Sequence, residues 1–165
     1  MAVLPVLLDA ASSSAVHLEM RDTYEAIDPD WFDWQRGERF DPAVRWSGWF
    51  DLVRRKVARG VSIRRARIIT ERMTDYIRYE HDVTAAHNIA AGEEVRWLYR
   101  RSALGLLVPL TDFWVVDDAV LVLNHFDSTG AMTEERRDDP ELVSTYASAF
   151  EAVWERSVPH AEFVI

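Results

Sequence analysis

Two apolar runs, Phe113-Trp114-Val115-Val116 and Val120-Leu121-Val122-Leu123, stand three residues apart around Asp117-Asp118-Ala119. Short runs rich in β-branched and aromatic residues, joined by a tight acidic turn, predict a β-hairpin. Asp127-Ser128-Thr129-Gly130 follows as a second turn. Asp139-Pro140-Glu141 then reads as a helix start, with a capping aspartate, proline at the first position and an early acid. Leu142, Tyr146, Phe150, Val153 and Trp154 supply an inward stripe, and Pro159 is expected to stop the helix.

The preceding residues alternate between strand and helix patterns. Ala15 to Met20 alternates as a short strand, and Asp30 is placed to cap a brief helix carrying Trp31, Phe32 and Trp34, ended by Gly37. From Trp46 to Arg59, residues Trp46, Trp49, Phe50, Val53 and Val57 share one helical face. Arg54, Arg55 and Lys56 fall mainly on others. Gly60 closes that helix, and Ser62 to Thr70 reads as a buried strand. A helix over Met73 to His81, a turn or short helix over Thr84 to Ala91 closed by Gly92, and a strand over Glu94 to Arg100 follow. The expectation is one α/β domain over 1–165, with a mixed β-sheet flanked by helices and a C-terminal β-hairpin followed by a long helix. Residues 1–14 are expected to form a loosely packed N-terminal segment, Ser12-Ser13-Ser14 being the one hint of a linker.

Composition removes several classes of function. Without cysteine there are no disulfides, thiolate metal sites or cysteine nucleophiles, and a reducing, cytoplasmic setting fits. Neither a membrane span nor a signal peptide is expected: Met1 to Leu8 has no basic flank, and no apolar window is long enough. A net charge of -9 argues against a surface made wholly for nucleic acid or anionic membrane. Yet Arg54, Arg55, Lys56, Arg59, Arg64, Arg65 and Arg67 form an acid-free cationic segment, 54–67, that could steer an anionic ligand or an acidic partner. Walker, Gly-x-Gly-x-x-Gly and Gly-x-Ser-x-Gly motifs are missing. His81 and His87 are not at the one-turn spacing of a helical metal pair. No metal or cofactor is expected.

Four segments carry a resemblance: His17-Leu18-Glu19-Met20-Arg21-Asp22, Thr74-Asp75-Tyr76-Ile77-Arg78-Tyr79-Glu80, Ala91-Gly92-Glu93-Glu94-Val95-Arg96 and Asp112-Phe113-Trp114-Val115-Val116-Asp117-Asp118. They are similar to an uncharacterised actinobacterial domain family often found beside helix-turn-helix regulators. The resemblance implies a regulatory context and a transcriptional-regulator partner protein. The terminal hairpin also resembles, in outline, the end of the phospholipase-D-like pattern, with Asp117 at the family's aspartate and Asn124 at its asparagine. Leu110 stands where that family has histidine and Asp112 where it has lysine. The implied domain is therefore degenerate, lacking the nucleophile and the phosphate-binding cation.

Two groups of residues carry chemistry. On a helix Tyr76 and Glu80 share a face. With Arg78, and with Arg67, Asp112 and Trp114, they could line a ligand cleft beyond the strand ending at Thr70, where open α/β sheets bind ligands. Arg78 would clamp a carboxylate or phosphate, and Tyr76 would supply a hydroxyl and a ring face. Alternatively His125, with Asp127, Asp117 and Asp112, could form an acid–base site, with Arg78 or Arg67 as an anion clamp. The leading expectation is a non-catalytic regulatory or effector-type protein binding a partner protein or a small anionic ligand, with Trp31, Trp34 and segment 54–67 as contact surfaces. The alternatives are a small enzyme using His125 and a nucleic-acid-binding module using 54–67. Oligomeric state is not fixed by the sequence.

Overall fold

The computed structural model describes residues 3–165. Seven strands form one sheet: β1 (Ser14–Glu19), β2 (Ser62–Ile69), β3 (Glu94–Tyr99), β4 (Asp112–Val116), β5 (Val120–Phe126), β6 (Met132–Arg137) and β7 (Val158–Pro159). Their spatial order is β6-β5-β4-β1-β2-β3-β7. Strands β1, β2 and β3 run parallel, joined by helical crossovers, while β4 pairs antiparallel with β1 and begins the β4-β5-β6 meander. The mixed α/β sheet expected from the sequence is thus present. β6, with the polar sequence Met-Thr-Glu-Glu-Arg-Arg, was not anticipated because it lacks an apolar alternation.

Helices cover both faces. Helix α6 (Pro140–Arg156) lies on one, where Phe150 and Val153 pack with Leu18, Ile68, Phe113 and Leu121. The other face takes α1 (Val3–Ala10), α2 (Asp30–Gln35), α3 (Pro42–Arg45), α4 (Ser47–Ala58) and α5 (Asp75–Thr84). A π-helical turn, Ala85–Ile89, continues α5. Among the described residues no helix is long and apolar enough to cross a membrane.

Local chemistry explains the element ends. Asp117 and Asp118 take φ of 54° and 52°, and Ala119 N–H donates to Val116 O at 3.1 Å, a left-handed two-residue turn that suits hairpin twist. Asp139 caps α6 by accepting from Leu142 N at 2.9 Å. The helix ends at Arg156, and Pro159 pairs instead in the short edge strand β7, where its missing N–H is tolerated. Thr74 caps α5 through Ile77 N.

Three expectations need correction. Residues 3–10 are helical rather than loose: Leu4 and Leu8 are buried against Val53, Ile63 and Val116, because the face they cover is apolar. Asp30 does not cap α2; its carboxylate accepts from Trp46 Nε1 at 2.7 Å and pairs with Arg45, holding α2 against α3. Lys56 is buried rather than solvated, its Nζ donating to Asp9 O at 2.8 Å.

Candidate functional site

The sheet face opposite α6 changes character along its strands. Near the start of β1 and β2 it carries Ala15 and Ile63. Toward their carboxyl ends it carries His17, Glu19, Arg65 and Arg67. The register sets Glu19 beside Arg67, His17 beside Arg65 and Trp114, and Asp112 beside Asn124, itself opposite Glu134. Strand alternation therefore puts all of these on one face. Helix α5 and its π-helical extension roof that face with Tyr76, Tyr79, Glu80, His87 and Asn88. The loop after β1 adds Tyr24 and Asp28, the first residue of α2 adds Asp30, and Leu4, Trp46 and Trp49 stand in the wall. Together they enclose a cleft of about 580 Å³.

Its floor is an ion-pair network. Glu19 Oε1 accepts from Arg65 Nη1 and its Oε2 from Arg67 Nε, each at 2.5 Å. Arg65 Nε donates to Glu93 Oε1 at 2.5 Å, and Asn88 Nδ2 holds the other Glu93 oxygen at 2.7 Å. Arg67 Nη1 donates to Thr84 Oγ1 at 2.7 Å. His17 stacks on Trp114 with ring centroids 4.2 Å apart, its Nδ1 2.7 Å from Phe113 O and its Nε2 3.2 Å from Glu19. Beside this, Asp112 accepts from Met20 N at 2.8 Å and from the Tyr24 hydroxyl, and Tyr76 donates to Asp28 at 3.0 Å.

Burial sets the electrostatics. It opposes ionisation of Glu19, but Arg65 and Arg67 prevail and hold that carboxyl well below its usual range. Glu80 has a more distant partner, Arg67 Nη2 at 3.7 Å, and burial with Glu19 nearby pushes it up to about 8. His87 is driven down to about 4 by burial and then by Arg65, so its ring is neutral at neutral pH. Burial raises Asp112 despite the Tyr24 hydrogen bond. Four buried atoms of cleft-lining residues, the Tyr79 hydroxyl, Glu80 Oε2, His87 Nε2 and Asn124 Oδ1, meet no hydrogen-bond partner in the protein.

Of the residues singled out in the sequence, Tyr76, Glu80, Arg67, Asp112 and Trp114 come together in this cleft. Arg78 does not: it is exposed on the far side of α5, 3.8 Å from Asp75, because it lies two residues from Tyr76 and Glu80 on the helix. The His125 group is scattered. His125 projects to the face opposite Asn124 and pairs with Glu135 at 2.7 Å. Asp127 folds its own turn through Thr129 and Ala131, and Asp117 accepts from Ser12, Ser13 and Ser14 at the hairpin end. Only Asp112 of that group reaches the cleft. Segment 54–67 is also divided: Arg54 and Arg55 are exposed on α4 and Arg59 just after it, Arg64 pairs with Glu151, and Lys56, Arg65 and Arg67 are buried. Trp31 is buried in an aromatic cluster with Trp34, Tyr76 and Tyr79 rather than offered as a contact surface.

Sequence reasoning named Asn124 only in the hairpin resemblance and Arg65 only in segment 54–67, and it missed His17, Glu19, Tyr24 and His87 as cleft residues. One signal was present: charged residues repeat at every second position in β1 and β2, on strands that helical segments flank on both sides.

An α/β domain whose parallel strands end in a charge-lined, partly enclosed cleft is the class that fold and site define. The chain belongs to the family described as a domain of unknown function, DUF6879, whose model matches residues 4–165. None of the curated proteins compared with the chain matches it.

Proposed function

We propose that this is a non-catalytic, regulatory or effector-type binding domain of the cytosol, whose cleft receives a small molecule and whose occupancy is read by a partner protein such as a transcriptional regulator. The observation that carries the reading is the presence of four buried, unpartnered polar atoms on residues that line one cavity. Such atoms cost roughly 1–3 kcal/mol each unless something satisfies them. A cavity of this size, in which aromatic rings alternate with convergent polar and charged groups, suits a small ligand. The cavity also lies over the sheet face toward the carboxyl ends of β1 and β2, the end of an open α/β sheet at which ligands bind.

An anionic ligand has less support, because both cleft guanidinium groups already hold carboxylates. The phospholipase-D-like reading of the sheet also has less support: Asp117 and Asn124 sit toward opposite ends of β4. Dispersal of the 54–67 cations weighs against nucleic acid. Glu80 favours one second reading, acid–base catalysis in the same cleft, since a carboxyl titrating at about 8 can donate a proton at neutral pH.

Tryptophan fluorescence tests the proposal, because Trp46, Trp49 and Trp114 line the cleft. Fractionated metabolite extracts are titrated into the protein, and bound species are identified by native mass spectrometry. A saturable signal that Asn124→Leu weakens and His125→Ala leaves intact supports the reading. Conversion of the bound molecule would favour the enzyme instead, and a blank screen would count against both.

A further inference from the structure

The end of the cleft formed by the meander carries a row of acceptors. Asp112 on β4, Asn124 on β5 and Glu134 on β6 occupy directly paired positions on one sheet face. Cross-strand neighbours of this kind keep their Cβ atoms roughly 4.5–5.5 Å apart. The middle member, Asn124, is 7% exposed, and its Oδ1 has no donor. Asp112 is 2% exposed, and Glu134 is half-buried, accepting from the first N–H groups of α1. Tyr24 and Phe126 stand beside the row with ring centroids 5.7 Å apart.

Each cation near this row already has a partner. Arg65 and Arg67 hold Glu19, Glu93 and Thr84. Arg136, the next residue along that face of β6, is 4.0 Å from Asp138. Arg21 lies over the Phe126 ring at 4.3 Å, so that ring already accepts a cation on its face. Around the whole cleft, among the described residues, six carboxyl groups (Glu19, Asp28, Asp30, Glu80, Asp112 and Glu134) line the wall with the guanidinium groups of Arg65 and Arg67.

Resting on the reading of the cleft as a ligand site, we propose that Asp112, Asn124 and Glu134 form the anchoring subsite for the ammonium group of a small organic amine. The ammonium donates to the open Asn124 Oδ1 and sits between the two carboxyl groups. Its organic portion packs on Tyr24 and Phe126, which desolvates the pair and strengthens it. A carboxylate at this position would stand beside the carboxyl groups of Asp112 and Glu134.

Three matched probes test the assignment: phenethylamine, phenylacetate and 2-phenylethanol share a ring and differ in the charge of the end group. Tryptophan fluorescence and calorimetry at millimolar probe should show phenethylamine binding at least ~10-fold more tightly than the other two, the difference one charge-assisted hydrogen bond makes. Asn124→Leu should cancel that preference. Glu134→Gln, which keeps an acceptor for α1, should reduce it, and Glu135→Gln on the opposite face should not change it. Thermal transitions of each variant check that the fold is retained. Equal or tighter binding of phenylacetate or phenylethanol, or no binding of phenethylamine, overturns the ammonium subsite. The cleft reading fails separately, when the metabolite screen is also blank.

Discussion

Glu19 bridges two buried arginines, its Oε2 on Arg67 Nε and its Oε1 on Arg65 Nη1, both at 2.5 Å. The contact ties β1 to β2 from inside the sheet face rather than through the backbone ladder. Removing one partner of a buried pair leaves a charge without compensation, at a cost of about 3–5 kcal/mol. Glu19→Gln keeps the volume and removes the charge, so urea unfolding should show a loss in that range.

Stability should pass through a maximum in mildly acidic to neutral solution. His87 and His160, each lowered from 6.5 to about 4 in the fold, contribute stability that is complete above about 6.5 and is lost as pH falls toward 4. Glu80, raised from 4.5 to about 8, contributes stability that is complete below 4.5 and is lost as pH rises through 8. Facing Glu80 are Arg67 and Arg65 from β2, Glu19 from β1 and Asp28 from the loop before α2. Between about 6.5 and 8 its term dominates, with a slope of up to about 1.4 kcal/mol per pH unit. Asp28 and Asp112, also raised, add in the same direction. Denaturant midpoints across pH 5–9 should therefore fall on the alkaline side, and Glu80→Gln should flatten that limb.

Two glycines should respond oppositely to alanine. Gly92 has φ of +103°, and an added Cβ would stand 2.8 Å from Val57 Cγ1 in α4. Gly92→Ala should destabilise by about 1–3 kcal/mol through strain and overpacking. Gly48, exposed in α4 with open space around it, should gain up to about 1 kcal/mol from the same change. Thermal melts of the two variants make the comparison.

His125→Ala should leave both stability and any cleft binding unchanged. The imidazole is 46% exposed, and its partner Glu135 is 37% exposed. Exposed pairs contribute about 0–1 kcal/mol. A large effect on ligand binding would restore the acid–base reading of this strand end.

Much of the frame was legible because it depends on local rules. The β4–β5 hairpin, the Asp139 cap of α6 and the parallel strands β1 to β3 follow from periodicity, turn chemistry and capping. The site was only half legible. Tyr76 and Glu80 could be paired by helical spacing, but His17 and Glu19 alternate with Val16 and Leu18 as any solvent-facing polar set would. Which side of a sheet is covered is a tertiary fact, and here helices cover both. The same ambiguity hid Asn124 behind His125: adjacent residues on a strand face opposite ways, and composition favours the histidine as the reactive one. α1 was missed because Val3 to Ala10 shows neither a cap nor a charged face, and its helix is supported by burial of Leu4 and Leu8.

The π-helical turn at Ala85–Ile89 gives α5 one residue more than a regular spiral would hold, and it is this surplus that lets neighbouring His87 and Asn88 both look inward. A three-nucleotide deletion at the outward-facing Ala86 would let the backbone rewind and swing Asn88 off Glu93, loosening the grip on Arg65. The lining of the cleft is thus exposed to insertion and deletion as much as to substitution. Variants that differ by a single codon here would share a scaffold and line the cleft differently.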